Sequence, residues 1–192
     1  RGLGAPGWRA DLVVLDDLEA CRVNMVLARG RVVNDALFAT RKTVAPVGYN
    51  SVKAKPVTAA AFRIEGQGRN LSVIGVDQGK IITQHLRMTL PEKDGAVLCD
   101  LKQDAIKVAV IERHGKNGNI GRGFVHGFGL KSGAIASTVG HDSHNICVVG
   151  ATDEDMAVAV NRLIEMQGGF VVAGGGKVLA DLPLPIAGLM SD

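Results

Sequence analysis

The densest group of polar side chains in the sequence is His141-Asp142-Ser143-His144-Asn145, which interrupts an otherwise apolar stretch. Imidazole and carboxylate groups are common metal ligands and general acids or bases, so this segment is the first candidate for a functional site. On a strand, His141 and His144 would point to opposite faces, and they converge only where a turn intervenes. Two histidines and one aspartate also fall short of a full metal-ligand set. The alternative interpretation is a polar turn in which Asp142 and Asn145 hydrogen-bond to the backbone.

A glycine-rich run at residues 115–133 is the second candidate, in which Arg122 would contact an anion. Phosphate-binding loops need glycines at fixed spacing, and the pattern G-x-G-x-x-G fails here. Gly121 and Gly123 fit its first two positions, but His126 stands where the third glycine is required. We therefore predict a flexible or functional loop rather than a nucleotide-binding turn.

Other chemical motifs are incomplete or missing from the sequence. The run Gly174–Lys177 resembles half of a P-loop, but Val178 follows where Ser or Thr is needed, and we predict a hairpin turn. Glu65 and the pair Glu112 and His114 lie in strand-like segments and are predicted to be solvated. The sequence has no HxH, HExxH, GxSxG or CxxC, and it lacks the base-deaminase zinc signature. No catalytic residue and no metal ligand is therefore assigned to this chain.

Composition excludes several classes of protein. The 192 residues are 46% hydrophobic and 21% charged, which is typical of a folded domain, and 25 glycines beside Val and Ile runs favour short strands and tight turns. The net charge of +3 comes from scattered basic residues with few aromatics, so nucleic-acid binding is not expected. No apolar run approaches the roughly 18–20 residues of a membrane span. Three separated cysteines predict a reducing cytoplasm and thiols that are buried or half-buried.

The elements that must position these residues divide into two predicted units, residues 1–43 and 58–192, joined by a linker at 44–57. In the first, residues 10–16 are almost wholly apolar and predict a strand buried on both faces. Residues 23–28 and 31–34 predict a hairpin around Arg29-Gly30. These strands are too few to enclose a hydrophobic core. We therefore expect residues 1–43 to be the end of a sheet whose other strands lie upstream.

The second unit is predicted to be an α+β domain dominated by strands. One helix is expected at residues 153–167, capped by Thr152, with one buried stripe containing Met156, Val160 and Leu163, and ended by Gly168-Gly169. The predicted strands are 62–64, 70–76, 80–90, 107–113, 135–139, 145–149, 170–173 and 177–180.

Particular stretches resemble a known family. Residues 4–16 and 26–33 resemble the closing strands of the β-sandwich in amidohydrolase-superfamily enzymes. From about Ser51 onward the chain resembles the C-terminal domain of bacterial adenine deaminases, most specifically where residues 133–139 run into His141–Asn145. The other matching stretches are Arg113-His114-Gly115, Gly123-Phe124-Val125, Gly127-Phe128-Gly129, Gly168-Gly169 and Leu184–Ser191. Gly140 departs from the alanine expected there.

The resemblance implies hydrolysis of adenine to hypoxanthine and ammonia in purine salvage, by a homodimer with a binuclear manganese or iron site in a (β/α)8 barrel. The metal motifs of that barrel have no counterpart in this sequence. We therefore expect a downstream portion, truncated at its C-terminus, that binds no metal and is inactive without the catalytic barrel. The candidates for facing the substrate or the barrel are His141, Asp142, Ser143, His144, Asn145 and Arg122.

Two alternatives to this enzyme-derived function stay open. In the first, the chain is a non-catalytic module in which the His141–Asn145 cluster and Arg122 bind a small ligand or a metal. In the second, it is a scaffold or dimerisation domain.

Overall fold

The computed structural model describes residues 4–42 and 44–191. The chain separates between residues 45 and 46 into two units. Strands dominate both, and the larger unit contains one long packed helix, which confirms the predicted α+β class. Within the described ranges, no helix is long and apolar enough to cross a membrane.

The first unit is a three-stranded antiparallel sheet followed by a short helix. Its strands are β1 (Leu12–Asp17), β2 (Arg22–Ala28) and β3 (Arg31–Val32), in that order across the sheet, and helix α1 spans Asp35–Ala39. The hairpin around Arg29-Gly30 is confirmed. Arg29 and Gly30 have φ angles of 52° and 74°, as a two-residue turn matched to the strand twist requires.

The predicted burial of the first strand on both faces is wrong for this chain. Leu12, Val13 and Val14 are 42%, 58% and 40% exposed, and none of the described residues of this unit is buried. A three-stranded sheet supplies no second layer of its own, which is the reason that so few strands cannot close a core.

The second unit is an eight-stranded sheet with a helix packed on one face. The strands are β4 (Leu71–Gly75), β5 (Gln84–Met88), β8 (Ala105–Ile111), β9 (Ile120–His126), β10 (Ala134–Ser137), β11 (Ile146–Gly150), β12 (Gly169–Gly174) and β13 (Lys177–Pro183). A separate two-stranded ribbon contains β6 (Glu92–Lys93) and β7 (Ala96–Val97). The order across the large sheet is β13-β12-β10-β11-β8-β9-β4-β5. All neighbouring pairs are antiparallel except β4 and β9.

Helix α2 (Asp153–Glu165) has the predicted start and the predicted buried stripe. The Thr152 hydroxyl accepts a hydrogen bond from the backbone N–H of Asp155 at 3.3 Å and donates to its carboxylate at 2.8 Å. Met156, Val160 and Leu163 are fully buried, and burying each such side chain contributes about 1.5–3 kcal/mol. The second Asp155 oxygen accepts from the N–H of Gly176 at 2.8 Å, which ties the helix to the β12–β13 turn. The predicted hairpin turn at Gly174–Gly176 is thereby confirmed.

The two faces of the large sheet differ in their cover. On the face toward α2, alternate residues of the central strands join the main core, among them Ala109, Ala136, Val148 and Val171. On the opposite face, Val110, Ile135, Phe170 and Val172 are each 38–40% exposed. The strand registers place these four residues between the core positions, as alternation along a pleated strand requires.

Two predicted elements are wrong. Residues 62–64 do not form a strand; a 3-10 helix, Ala59–Phe62, ends in fully buried Phe62, because its three alanines favour helical backbone and Phe62 inserts into the core. The glycine-rich run is not one long loop either, since its centre is β9. Gly121 and Gly123 put no side chains on the face of β9 that they share with Val125, and the period-two pattern is lost from the first half of the strand.

Residues 52–57, inside the predicted linker, pair with helix α2. The side-chain amide of Asn161 accepts from the N–H of Val57 and donates to its carbonyl, both at 2.9 Å. Gln167 makes the same two bonds to Val52, at 3.1 and 3.4 Å. The two side-chain amides thus supply hydrogen-bond partners for backbone N–H and C=O groups of an extended segment that joins no sheet.

Candidate functional site

The His141–Asn145 segment forms a tight turn between β10 and β11. The N–H of His144 donates to the carbonyl of Gly140 at 2.9 Å, and that of Ser143 donates to the carbonyl of His141 at 3.0 Å. Asp142 and His144 adopt left-handed backbone angles, with φ of 68° and 48°, in residue types that tolerate this region. A turn is therefore present, but it does not bring the two histidines together, because His141 is exposed and Nδ1 of His144 is buried.

The tip of this turn carries two exposed polar side chains. The side chains of His141 and Asp142 are 94% and 87% exposed, and Nδ1 of His141 lies 2.9 Å from Oδ1 of Asp142. A carboxylate oxygen at this distance accepts a hydrogen bond from the imidazole N–H and orients the ring. The pair is thus a proton donor or acceptor that solvent or another surface can reach.

Arg113 anchors the turn from below. It lies two residues after the end of β8, and only 2% of its surface is exposed. Its Nε donates to the carbonyl of His144, one terminal nitrogen donates to Ser51 Oγ at 3.1 Å, and the other donates to the carbonyl of Ala187 at 2.9 Å. Burial lowers the pKa of this guanidinium from its ordinary value. Among the described residues no carboxylate pairs with it, so neutral oxygens alone solvate a buried cation.

Two further side chains support the turn. Oδ1 of Asn145 accepts from the backbone N–H of Arg113 at 3.4 Å, so this part of the polar-turn interpretation is correct. Nε2 of His114 lies 2.8 Å from the carbonyl oxygen of Ser143. Nδ1 of His144 is buried and has no hydrogen-bond partner in the described part of the chain. His144 therefore faces inward, whereas His141 faces outward.

Sequence reasoning missed Arg113 and His114 as members of this site. Both appear in a stretch that carries the resemblance, but their partners lie 29–74 residues away in the chain. The available signal was an arginine at the end of an apolar strand, where burial is costly unless several acceptors converge.

Arg122, the sixth candidate, lies elsewhere. It is on β9 opposite Ala109, and it donates to the backbone carbonyls of Ala61 and Ile120. These two carbonyls lie outside the His141–Asn145 turn.

The described residues do not fit a resident metal ion. No three His, Cys, Asp or Glu side chains in residues 4–42 and 44–191 come together as a possible ligand set.

Burial raises the pKa of the Cys99 and Cys147 thiols, which disfavours the reactive thiolate. Cys21 is exposed, contrary to the prediction for all three cysteines.

Comparison with known proteins decides the family. Residues 80–192 match the family model described as the adenine deaminase C-terminal domain. The chain belongs to the adenine deaminase C-terminal domain family. The resemblance centred on the His141–Asn145 segment is therefore confirmed.

Curated relatives extend the match to the whole chain. "Adenine deaminase 1" of Rhizobium etli and "Adenine deaminase" of Brucella abortus are each 65% identical to it over 191 residues. "Adenine deaminase" of Methylobacterium nodulans is 65% identical over 193 residues. All three alignments cover 100% of this chain but only 33–34% of the relative. The chain thus spans about a third of the adenine deaminases that it matches and corresponds to a C-terminal portion.

Proposed function

We propose that the chain is the C-terminal part of a metal-dependent adenine deaminase, which hydrolyses adenine to hypoxanthine and ammonia in purine salvage. Family membership and the names of the relatives support this reaction class. In this proposal the barrel with its binuclear manganese or iron site lies outside the chain, and the enzyme is a cytoplasmic homodimer. The described residues offer no metal-ligand set, so we assign no chemical step to them.

Within that enzyme we propose that residues 141–145 face the barrel or its bound substrate. One observation carries this role: buried Arg113 holds the turn from below, while the His141 and Asp142 side chains at its tip stay almost fully exposed. A functional group acts well when packing and hydrogen bonds fix its support. Exposed polar side chains on a rigidly held turn are suited to contribute to a site on a neighbouring domain.

The chemistry of the tip fits a polar heterocycle or a proton-transfer network. The His141 ring offers an N–H donor, and the Asp142 carboxylate accepts hydrogen bonds from an amino group or a ring N–H. Adenine offers ring nitrogens as acceptors and an exocyclic amino group as donor. The pair therefore matches both kinds of polar atom on that base.

Substitutions in the intact deaminase that carries this segment test the role. We expect His141→Ala and Asp142→Ala to lower kcat/KM for adenine at least tenfold with unchanged metal content, because both side chains are exposed and support no core packing. His85→Ala is the matched control, since His85 is an exposed histidine on β5 whose ring bonds to Ser72 Oγ. Unchanged kinetics in both tip variants would overturn the proposed contact.

Arg113→Lys tests the anchor separately. Lysine keeps the charge but cannot reproduce the guanidinium fork that reaches the Ser51 hydroxyl and the His144 and Ala187 carbonyls. We expect a loss of about 2–3 kcal/mol in the free energy of unfolding, together with the same kinetic defect as the tip variants. A stability loss with normal kcat and KM would show that Arg113 supports the fold without positioning the turn.

The 192-residue chain alone is expected not to deaminate adenine. Adenine turnover by the purified chain with added manganese would contradict this expectation, whatever the outcome for the tip variants.

A further inference from the structure

A pocket of about 670 Å³ lies beside the β8–β9 connection, and none of residues 141–145 belongs to its lining. Its lining comes from residues 53–58, from Ala61 and from both sides of the β8–β9 loop. Ala54, Val57, Ile111 and Ile120 contribute apolar surface to this lining, and all four also contact the main core. The volume lies within the roughly 300–1,000 Å³ range of small-molecule sites.

Two basic clusters that are far apart in the sequence meet at this pocket. Lys53 and Lys55 come from the extended segment, and Lys116 comes from the β8–β9 loop. The N–H of Lys53 donates to the carbonyl of Arg113 at 2.6 Å, which fixes the two segments side by side. All three lysines are exposed, and none has a carboxylate partner among the described residues.

The one acidic residue in the lining, Glu112, bonds to the loop backbone and forms no ion pair with these lysines among the described residues. Both carboxylate oxygens of Glu112 are engaged by backbone N–H groups of the loop: Oε1 by His114 at 2.5 Å, and Oε2 by Lys116, Asn117 and Gly118 at 3.0–3.2 Å. Desolvation opposes ionisation, but these donors outweigh it and hold the pKa of Glu112 below its ordinary value. Three ammonium groups against one carboxylate leave an excess of two positive charges in the lining.

We propose that this pocket binds a phosphate monoester, with the phosphate among Lys53, Lys55 and Lys116 and the organic part against Ile111, Ile120 and Val57. A phosphate monoester carries about −1.5 to −2 charges at neutral pH, which matches the excess in the lining. An inorganic phosphate ion has no apolar part to contact the apolar surface of the pocket, whereas a monoester has one. Adenine carries no negative charge to pair with the lysines, and occupancy of this pocket does not depend on the function proposed above.

Calorimetric titration of the 192-residue chain tests the site with three probes: adenosine 5′-monophosphate, adenosine and inorganic phosphate. We expect the monophosphate to bind with one-to-one stoichiometry and at least tenfold more tightly than either of the other two. Adenosine binding equally well would remove the role of the lysines. Inorganic phosphate binding equally well would remove the role of the apolar surface, and no binding of the monophosphate would overturn the site.

A matched pair of double variants locates the binding. Lys53→Ser with Lys116→Ser removes two charges from the pocket, whereas Lys131→Ser with Lys177→Ser removes two from exposed positions outside its lining. We expect the dissociation constant for the monophosphate to rise at least tenfold in the first variant and to stay within twofold in the second. Equal weakening in both would mean non-specific attraction and would overturn the proposal.

Amide chemical shifts supply a second measurement that needs no substitution. Addition of the monophosphate should shift signals of residues 53–58 and 111–120. Shifts confined to other parts of the chain would place the ligand elsewhere and contradict the proposed site.

Discussion

The carboxylate of Glu112 organises the connection between β8 and β9 from the inside. Four backbone N–H groups of the loop, at residues 114, 116, 117 and 118, converge on it where Gly115 and Gly118 turn the chain with φ angles of 74° and 67°. Such a concave arrangement of backbone N–H groups is a typical anion-binding nest. Here the chain fills the nest with its own side chain, and the loop is closed without a ligand.

The ionised state of Glu112 should make the stability of the second unit depend on acid pH. Its folded pKa lies below the ordinary value of 4.5, so its contribution is fully present above that value. As the pH falls from about 4.5 through the lower folded pKa, the unfolded state takes up the proton first and the contribution is lost. Urea unfolding of the parent chain and of Glu112→Gln between pH 6 and pH 2.5 should show a smaller loss in the variant.

Two comparisons make this result interpretable. Asp100, held by hydrogen bonds from Gln103, also has a lowered pKa, so some pH dependence should persist in Glu112→Gln. Exposed Glu19→Gln is the control and should follow the parent chain. A pH profile of Glu112→Gln that coincides with the parent would contradict the proposed role of the carboxylate.

Single residues were predictable from the sequence only where their chemistry is local. The His141–Asn145 cluster stands out because it interrupts apolar strands, and the Thr152 cap stands out because its partner is three residues away. Arg113 does not stand out in the sequence. Its hydrogen-bond partners are separated from it by 31, 62 and 74 positions in the chain. No local sequence pattern indicates that the segments containing these partners come together around Arg113.

At the scale of elements, close approach of backbones constrains the chain at the start of β12. Gly169 has a φ of 131°, and a Cβ there would collide with the carbonyl oxygen of Leu182 on β13. Its N–H donates to the hydroxyl of fully buried Thr138 at 2.7 Å, and that hydroxyl donates to the carbonyl of Gly188 at 2.6 Å. Helix end, strand start and C-terminal turn therefore meet at one small residue.

Gly169→Ala should be among the most damaging small substitutions in the chain. We expect a loss of about 3 kcal/mol or more, because backbone strain at positive φ adds to a steric clash that β13 cannot avoid without moving. The measurement is the free energy of unfolding in urea, followed by circular dichroism.

Gly175→Ala is the matched control for this substitution. Gly175 also has a positive φ, of 60°, but a Cβ there meets open space. It should cost only about 1–2 kcal/mol, the ordinary penalty for left-handed backbone. Equal losses in the two variants would show that the contact with β13 is unimportant.

Elements with strong local signals were predictable, and those shaped by tertiary packing were not. The cap, apolar stripe and glycine stop of α2 agree with one another, and the helix lies where they indicate. Strand β9 was not predicted from the sequence. Gly121 and Gly123 occupy alternate positions on one face, where larger side chains would have shown the two-residue period of a strand. The 3-10 helix depends on where Phe62 finds the core, which a short alanine run does not specify.

For the molecule as a whole, all buried residues among those described lie within residues 46–192. The main core, the helix and the large sheet all belong to this unit. We therefore expect a chain of residues 46–192 to fold cooperatively without residues 1–45. Well-dispersed amide signals and a single thermal transition would support this expectation, whereas a broad transition with poor dispersion would contradict it.

The count of strands in the sequence predicts that the first unit cannot close a core by itself. Residues 10–34 offer too few strands to form two layers, and the structure has no buried residue there among those described. Burial of residues 10–16 on both faces was not a valid inference, because an apolar strand shows what it can cover but not what is present to cover it.

The order of strands in the large sheet has a consequence for how the unit folds. Eight strands form four hairpins of consecutive elements: β4–β5, β8–β9, β10–β11 and β12–β13. Isolated hairpins form within about 1–10 μs, so the slow events should be their edge-to-edge assembly. Assembly through β4 and β9 joins Val73 to Phe124 in parallel and must close the long intervening chain first. We expect the β4–β5 hairpin to join last, and to be the first part to open in the folded protein.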